Sequence, residues 1–166
     1  MRAVKIITYI GGIIQIIGGV LSIYGIYKSS FNPNYELTIS LIIIIPLVLL
    51  NFAAGLGVML VKSPKGVVLL IITYLLQVVQ LKFKGFYYFY AIGPYLGLGF
   101  VKKANQNISF WGDGSQYLFT VLIRFVDDKV GYFLSLNFVA LFFLLVVLIE
   151  YRNRKASKHN TETNWC

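Results

Sequence analysis

The sequence predicts an all-α membrane protein, a four-transmembrane-helix bundle with a small extracytoplasmic antiparallel β-subdomain between helices 3 and 4. The 166 residues are 58% hydrophobic and only 13% charged, whereas soluble domains carry about 25% charged residues. Four stretches contain no Asp, Glu, Lys, Arg or His: residues 6–27, 37–61, 66–81 and 130–149. A bilayer core of about 30 Å requires about 20 apolar residues in a helix, so each stretch is interpreted as a membrane span.

The predicted helices cover residues 6–27, 37–61, 66–84 and 130–149 of a single membrane domain, 1–166. The third helix is continued past its charge-free stretch because the long stems of Lys82 and Lys84 can reach lipid headgroups. The first could instead be a signal peptide, since Arg2 and Lys5 precede it. Its apolar run is too long for that and no small-residue cleavage site follows, so we expect an uncleaved helix.

The connection between helices 3 and 4 is predicted to be an outer β-rich loop over residues 85–127. Loops usually have a median length of about 4–6 residues, so a connection this long indicates structure of its own. Strand-like stretches at 86–90, 95–101, 109–111 and 117–126 flank turn signals, which favours three or four antiparallel strands. A competing interpretation makes residues 85–101 a segment that dips into the membrane.

The distribution of basic residues predicts that both termini are cytoplasmic. Segments 1–5, 62–65 and 150–166 hold eight Lys and Arg in 26 residues, against seven in the 57 residues of 28–36 and 82–129. Lys and Arg concentrate on the cytoplasmic side, so residues 150–166 are predicted to be a basic cytoplasmic tail. The basic residues flank helices, which indicates membrane lipids rather than nucleic acid as partners. Composition rich in Ile, Lys, Asn and Tyr suggests an AT-rich, bacterial genome, so the expected location is a bacterial inner (plasma) membrane.

A stripe of small and polar residues marks one face of helix 1. Its members are spaced four, three, four and three residues apart: Gly11, Gln15, Gly18, Ser22 and Gly25. Small residues allow helix backbones to approach closely in lipid. The stripe therefore predicts either packing within the chain or an interface between subunits.

Each predicted helix also carries one amide near its middle: Gln15, Asn51, Gln77 and Asn137. Asn51 lies in a patch of small residues that includes Gly55. An unpaired amide in hydrocarbon costs several kcal/mol, so we expect these groups to turn inward and bond to one another, to backbone or to water. They could be structural contacts or the lining of a solute path.

No catalytic, cofactor or metal site is expected. The single histidine, His159, has no ligand partner at a workable spacing, and a metal site needs several ligands. Asp127 and Asp128 are adjacent at the predicted start of helix 4, where the helix dipole favours them. The single cysteine, Cys166, excludes an internal disulfide.

The sequence thus predicts a small non-enzymatic polytopic membrane protein, an accessory or interaction subunit or an immunity-type protein. It would act through the aromatic outer loop, with Trp111, Tyr117 and Phe119 as the surface for a protein partner or for self-association. Large aromatic side chains dominate interface hot spots, although they could also anchor the loop to headgroups. The alternative is a small transporter or pore-forming, holin-like protein with an amide-lined core.

Overall fold

The computed structural model describes residues 2–30, 37–60, 64–83, 86–102, 107–125 and 131–163. Within these ranges the chain is mixed α/β, with four helices and four strands. The elements in chain order are α1 (Arg2–Ser30), α2 (Leu37–Met59), α3 (Pro64–Val78), β1 (Val79–Phe83), β2 (Phe86–Lys102), β3 (Ser109–Phe125), β4 (Tyr132–Asn137) and α4 (Phe138–Thr163).

The prediction of an all-α bundle of four transmembrane helices is wrong. Residues 79–83 and 132–137, which were assigned to helices 3 and 4, form strands. Among the described residues, one helical segment, Arg2–Tyr24, is long and apolar enough to cross a membrane, whereas Ile44–Met59 and Pro64–Val78 are shorter apolar helices. The absence of charge marked apolar segments correctly, but it could not tell a helix from a strand buried on one face.

The two unexpected strands show why the assignment failed. In β4, Ser135 and Asn137 are buried while the alternating Leu134 and Leu136 are exposed, which is the period of a strand. Asn137 is not a mid-helix amide: it ends β4, and its Oδ1 accepts hydrogen bonds from the backbone N–H groups of the second and third residues of α4, at 3.1 and 3.2 Å. Asn is a favoured N-cap, so Asn137 fixes the point where strand becomes helix.

The sheet is antiparallel in the order β1-β4-β2-β3 and curls because β1 also pairs with β2. β2 bends at Gly93, where φ is +94° and the register with β3 shifts; glycine adopts this conformation without strain. The arm before the bend pairs with β1, and the arm after it pairs with β4. The curl creates a concave face inside and a convex face outside.

Glycines bring the helices of this chain together. A Cβ added to Gly55 of α2 would lie 2.6 Å from the carbonyl oxygen of Gly12 in α1, and one added to Gly66 of α3 would overlap the backbone of Gly57. Such close approach is available only without a side chain. Apolar side chains of α2, α3 and α4 complete the core around these contacts.

The contacts also set the direction of each helix. Tyr74 lies against Gly11 and Gln77 against Gln15, so α3 runs parallel to α1. Since β1 and β4 are antiparallel, α4 runs the opposite way. One end of the helical layer, the basic end, therefore collects exposed cations from three helices: Arg2, Lys5, Lys65, Arg152 and Lys155. Residues 150–163 of the predicted tail continue α4.

Candidate functional site

A buried polar network joins the helices to the bend of β2. Gln77 is its centre: its Nε2 donates to Oε1 of Gln15 at 3.1 Å, and its Oε1 accepts from the backbone N–H of Ile92 at 3.1 Å. Both glutamine side chains are fully buried. One amide thus holds α1, α3 and β2 together, because it satisfies groups that would otherwise be buried without partners.

Tyrosines of the first β2 arm extend this network. The Tyr90 hydroxyl donates to Oδ1 of Asn51 in α2, and the Tyr88 hydroxyl donates to the carbonyl oxygen of Leu76 in α3. Tyr74, from α3, donates to the carbonyl oxygen of Gly11 at 3.1 Å. The amide nitrogens of Gln15 and Asn51 are buried without hydrogen-bond partners among the described residues.

A second cluster of hydrogen-bonded polar side chains lies on the concave face. The Tyr95 hydroxyl donates to Oε1 of Gln80 at 2.7 Å and lies 3.3 Å from Oγ of Ser135. Its ring packs against Phe89 and lies where a side chain at Gly97 would project. Tyr95 therefore ties the second arm of β2 to both β1 and β4.

The side chains of the network are carboxamides and phenol hydroxyls, which join the elements by hydrogen bonds. Glu150, only 1% exposed, is paired with Arg154, one turn further along α4, at 2.8 Å. In the described ranges no three His, Cys, Asp or Glu side chains are grouped as metal ligands.

A narrow crevice adjoins the network where the β2 bend meets the helices. Its walls include Ile14, Tyr74, Pro94, Asn137 and Phe143, and it has no room for a water molecule. The β2 bend at Gly93 therefore lies against Ile14, in the middle of α1. The membrane dip that the sequence left open for residues 85–101 stays a prediction.

The predicted packing residues have diverse surroundings. Gly11, Gln15, Gly18 and Ser22 are buried, and an added Cβ at Gly11 would meet Tyr74 and Phe143 of this same chain. The surroundings of Gly25 lie outside the described residues. The structure joins Gln15 to Gln77 directly, whereas Asn51 bonds to Tyr90 and Asn137 caps α4.

Of the three predicted partner residues, Trp111 has a described side chain. Trp111 is half-buried on the concave face, with its ring edge-on to Phe133 at a centroid distance of 5.0 Å. Tyr117 and Phe119 belong to β3, but their side chains lie outside the described residues. Two strongly exposed apolar side chains lie where β3 begins, Ile108 (67% exposed) and Phe110 (68% exposed). We call these two residues the sheet tip.

Sequence reasoning also missed the apolar surface of the convex face, formed by Leu96, Leu98, Phe100, Leu134 and Leu136, all exposed. The signal is present in the alternation Gly97-Leu98-Gly99-Phe100. It places small residues on the buried side and large apolar residues on the exposed side, the reverse of a sheet with one face in water.

Comparison with known protein families, curated proteins and solved structures finds no match for this chain.

Proposed function

We propose that this chain is a non-enzymatic membrane protein, an accessory subunit or immunity-type protector that recognises a protein partner at its sheet tip. The observation that carries the proposal is the exposed surface of α1. Large apolar side chains, among them Ile6, Ile10, Ile13 and Ile17, remain exposed along its length. Contiguous exposed apolar surface marks contact with lipid or protein, and α1 has the length of a membrane span.

The distribution of basic residues supports one orientation of the chain across the membrane. The basic end of the helical layer is suited to anionic headgroups of the cytoplasmic leaflet, and it contains both the start of α1 and the later part of α4. The N-in/C-in orientation in a plasma membrane then places the sheet tip on the outer side. α1 crosses the bilayer, and the shorter apolar helices and the sheet pack beside it.

Two features favour recognition over transport or catalysis. Gln77, Tyr90 and Tyr95 bond to other side chains or to backbone, and Glu150 is neutralised by Arg154. The crevice beside Gln77 is closed to water, so the amides line no open path there. Ile108 and Phe110, by contrast, present apolar area at the far end from the basic cluster.

The test places Ser at both tip positions, Ile108→Ser with Phe110→Ser, and Asn107→Ala serves as the matched exposed control. A photoreactive residue at the exposed position 109 should give a discrete protein adduct in cells. We expect the double variant to insert in the membrane normally but to lose this adduct, because the apolar contact area is gone.

Three outcomes would contradict the proposal. The first is an adduct that persists unchanged in the double variant, and the second is chain that washes off membranes at alkaline pH. The third is solute flux through proteoliposomes that disappears in Gln77→Leu, which would place function in the amide core. A second, differently tagged copy of the chain in the adduct would identify the partner as self.

A further inference from the structure

We propose that the convex face of the sheet lies against lipid acyl chains, so that the protein lines one leaflet with a β-sheet as well as with helices. This inference rests on the membrane location proposed above and identifies the occupant of a surface that the fold leaves uncovered. The face is formed by Leu96, Leu98, Phe100, Leu134 and Leu136, between 36% and 57% exposed.

The alternation of the strands is that of a lipid-facing sheet. Gly97, Gly99 and Ser135 point to the buried concave side, while the residues between them expose only leucine and phenylalanine. In β-structures bounded by lipid, apolar residues face outward and small or polar residues face inward. A sheet face in water would carry polar groups at these positions.

The depth of the face agrees with a leaflet. Ile14, which touches the β2 bend at Gly93, is nine residues beyond Lys5, or about 14 Å along the helix, close to half of an apolar core of about 30 Å. From Pro94, the eight residues to Lys102 cover about 26 Å of strand, or about 18 Å of depth at the tilt of about 45° found in lipid-facing strands. Lys102, the first cation after the bend, therefore lies at the level of the headgroups.

The exposed side chains of the second β2 arm change from leucine to phenylalanine to lysine with distance from the bend, as this depth requires. Leu96 and Leu98 lie nearest the bend, Phe100 follows, and Lys102 comes last, paired with Tyr132 of β4. Phe100 packs edge-on to Phe110 of the sheet tip at 6.0 Å, so the lipid-facing surface ends where the sheet tip begins. Aromatic and basic residues occupy this boundary in membrane proteins. A protein partner would not require a gradient in this order.

The backbone also meets the requirement that lipid imposes. Unpaired N–H and C=O groups cannot face hydrocarbon, which excludes open sheet edges. Here β1, β2 and β4 pair in a ring, and β3, at the end of the sheet order, contacts α1 and α2. Within the described residues, β1, β2 and β4 therefore have neighbouring strands, and the helices cover part of β3.

Nitroxide labels on single cysteines test the proposal in nanodiscs, in a Cys166→Ser background. Leu98→Cys reports the convex face, Lys102→Cys the headgroup level, and Ile17→Cys the exposed surface of α1. Oxygen concentrates in lipid and a nickel chelate in water. We expect the ratio of oxygen to nickel collisions to be several-fold higher at 98 and 17 than at 102.

The other outcomes separate the two proposals. A label at 98 that is nickel-accessible while 17 is not would overturn the lipid-facing sheet and leave the membrane location standing. Nickel access at both would overturn the location itself. Exclusion of both reagents at 98 would show that a second copy or another protein covers the face, and would also refute lipid contact.

Discussion

Gly99→Ala is expected to prevent β2 from pairing with β4 and to destabilise the fold by more than about 4 kcal/mol, the range of severe single substitutions. The added Cβ would overlap the carbonyl oxygen of Leu134 and come within 2.7 Å of the Cα of Ser135. These are backbone atoms, so no rotation of a side chain relieves the overlap. The variant should be recovered as aggregate, or should unfold in detergent far below the parent temperature.

Gly114→Ala is the matched control, because it adds the same methyl group to a glycine of the neighbouring strand. There the new Cβ would meet only a methyl group of Leu96, at 3.6 Å, an ordinary van der Waals distance. Its unfolding temperature should remain close to that of the parent. Equal behaviour of the two alanine variants would refute the close pairing of β2 with β4.

Gln77→Leu is expected to destabilise the protein by about 3 kcal/mol, since each buried polar group left unpaired costs about 1–3 kcal/mol. The substitution removes the acceptor for the backbone N–H of Ile92 and the donor to Gln15. Thermal unfolding in detergent measures the loss. Thr73→Val, one turn earlier on α3, removes only a bond to the carbonyl oxygen of Leu69 in the same helix and should cost less than about 1 kcal/mol.

A double-mutant cycle of Gln15 and Gln77 measures whether their two amides interact. Gln15→Leu alone leaves the Gln77 amide without an acceptor, while the double variant leaves neither glutamine. The double should therefore cost less than the sum of the two singles. Additive losses would show that the two amides do not interact.

The sequence indicated the apolar segments and the β-structure of residues 86–125, but it divided β2 and β3 at turn signals although each is one strand. It also misassigned the junctions between helix and strand. Val79-Gln80-Leu81-Lys82-Phe83 alternates as a strand does, yet Gln80 also lies three residues from Gln77 and continues a helical stripe. Asn137 precedes an apolar run as an N-cap would, but the absence of charge on both sides concealed the boundary. Period-two alternation inside a charge-free stretch is the signal that decides such cases.

The buried network could be foreseen only in part. Inward-facing amides follow from the cost of leaving them unpaired, and Gln15 does meet Gln77. The partners Tyr90 and the Ile92 backbone could not be foreseen, because they lie on the first arm of β2, a different element from the helices that they contact. This contact depends on tertiary folding that no local pattern encodes.

The orientation across the membrane is tested most directly by two single-cysteine chains labelled with an impermeant maleimide in intact spheroplasts. One chain is the parent, whose single thiol is Cys166; the other is Cys166→Ser with Ile108→Cys at the sheet tip. The account predicts that the thiol at 108 is labelled in sealed cells and that Cys166 is labelled only after the membrane is opened. Labelling of Cys166 in sealed cells, or protection of the thiol at 108 until lysis, would contradict it.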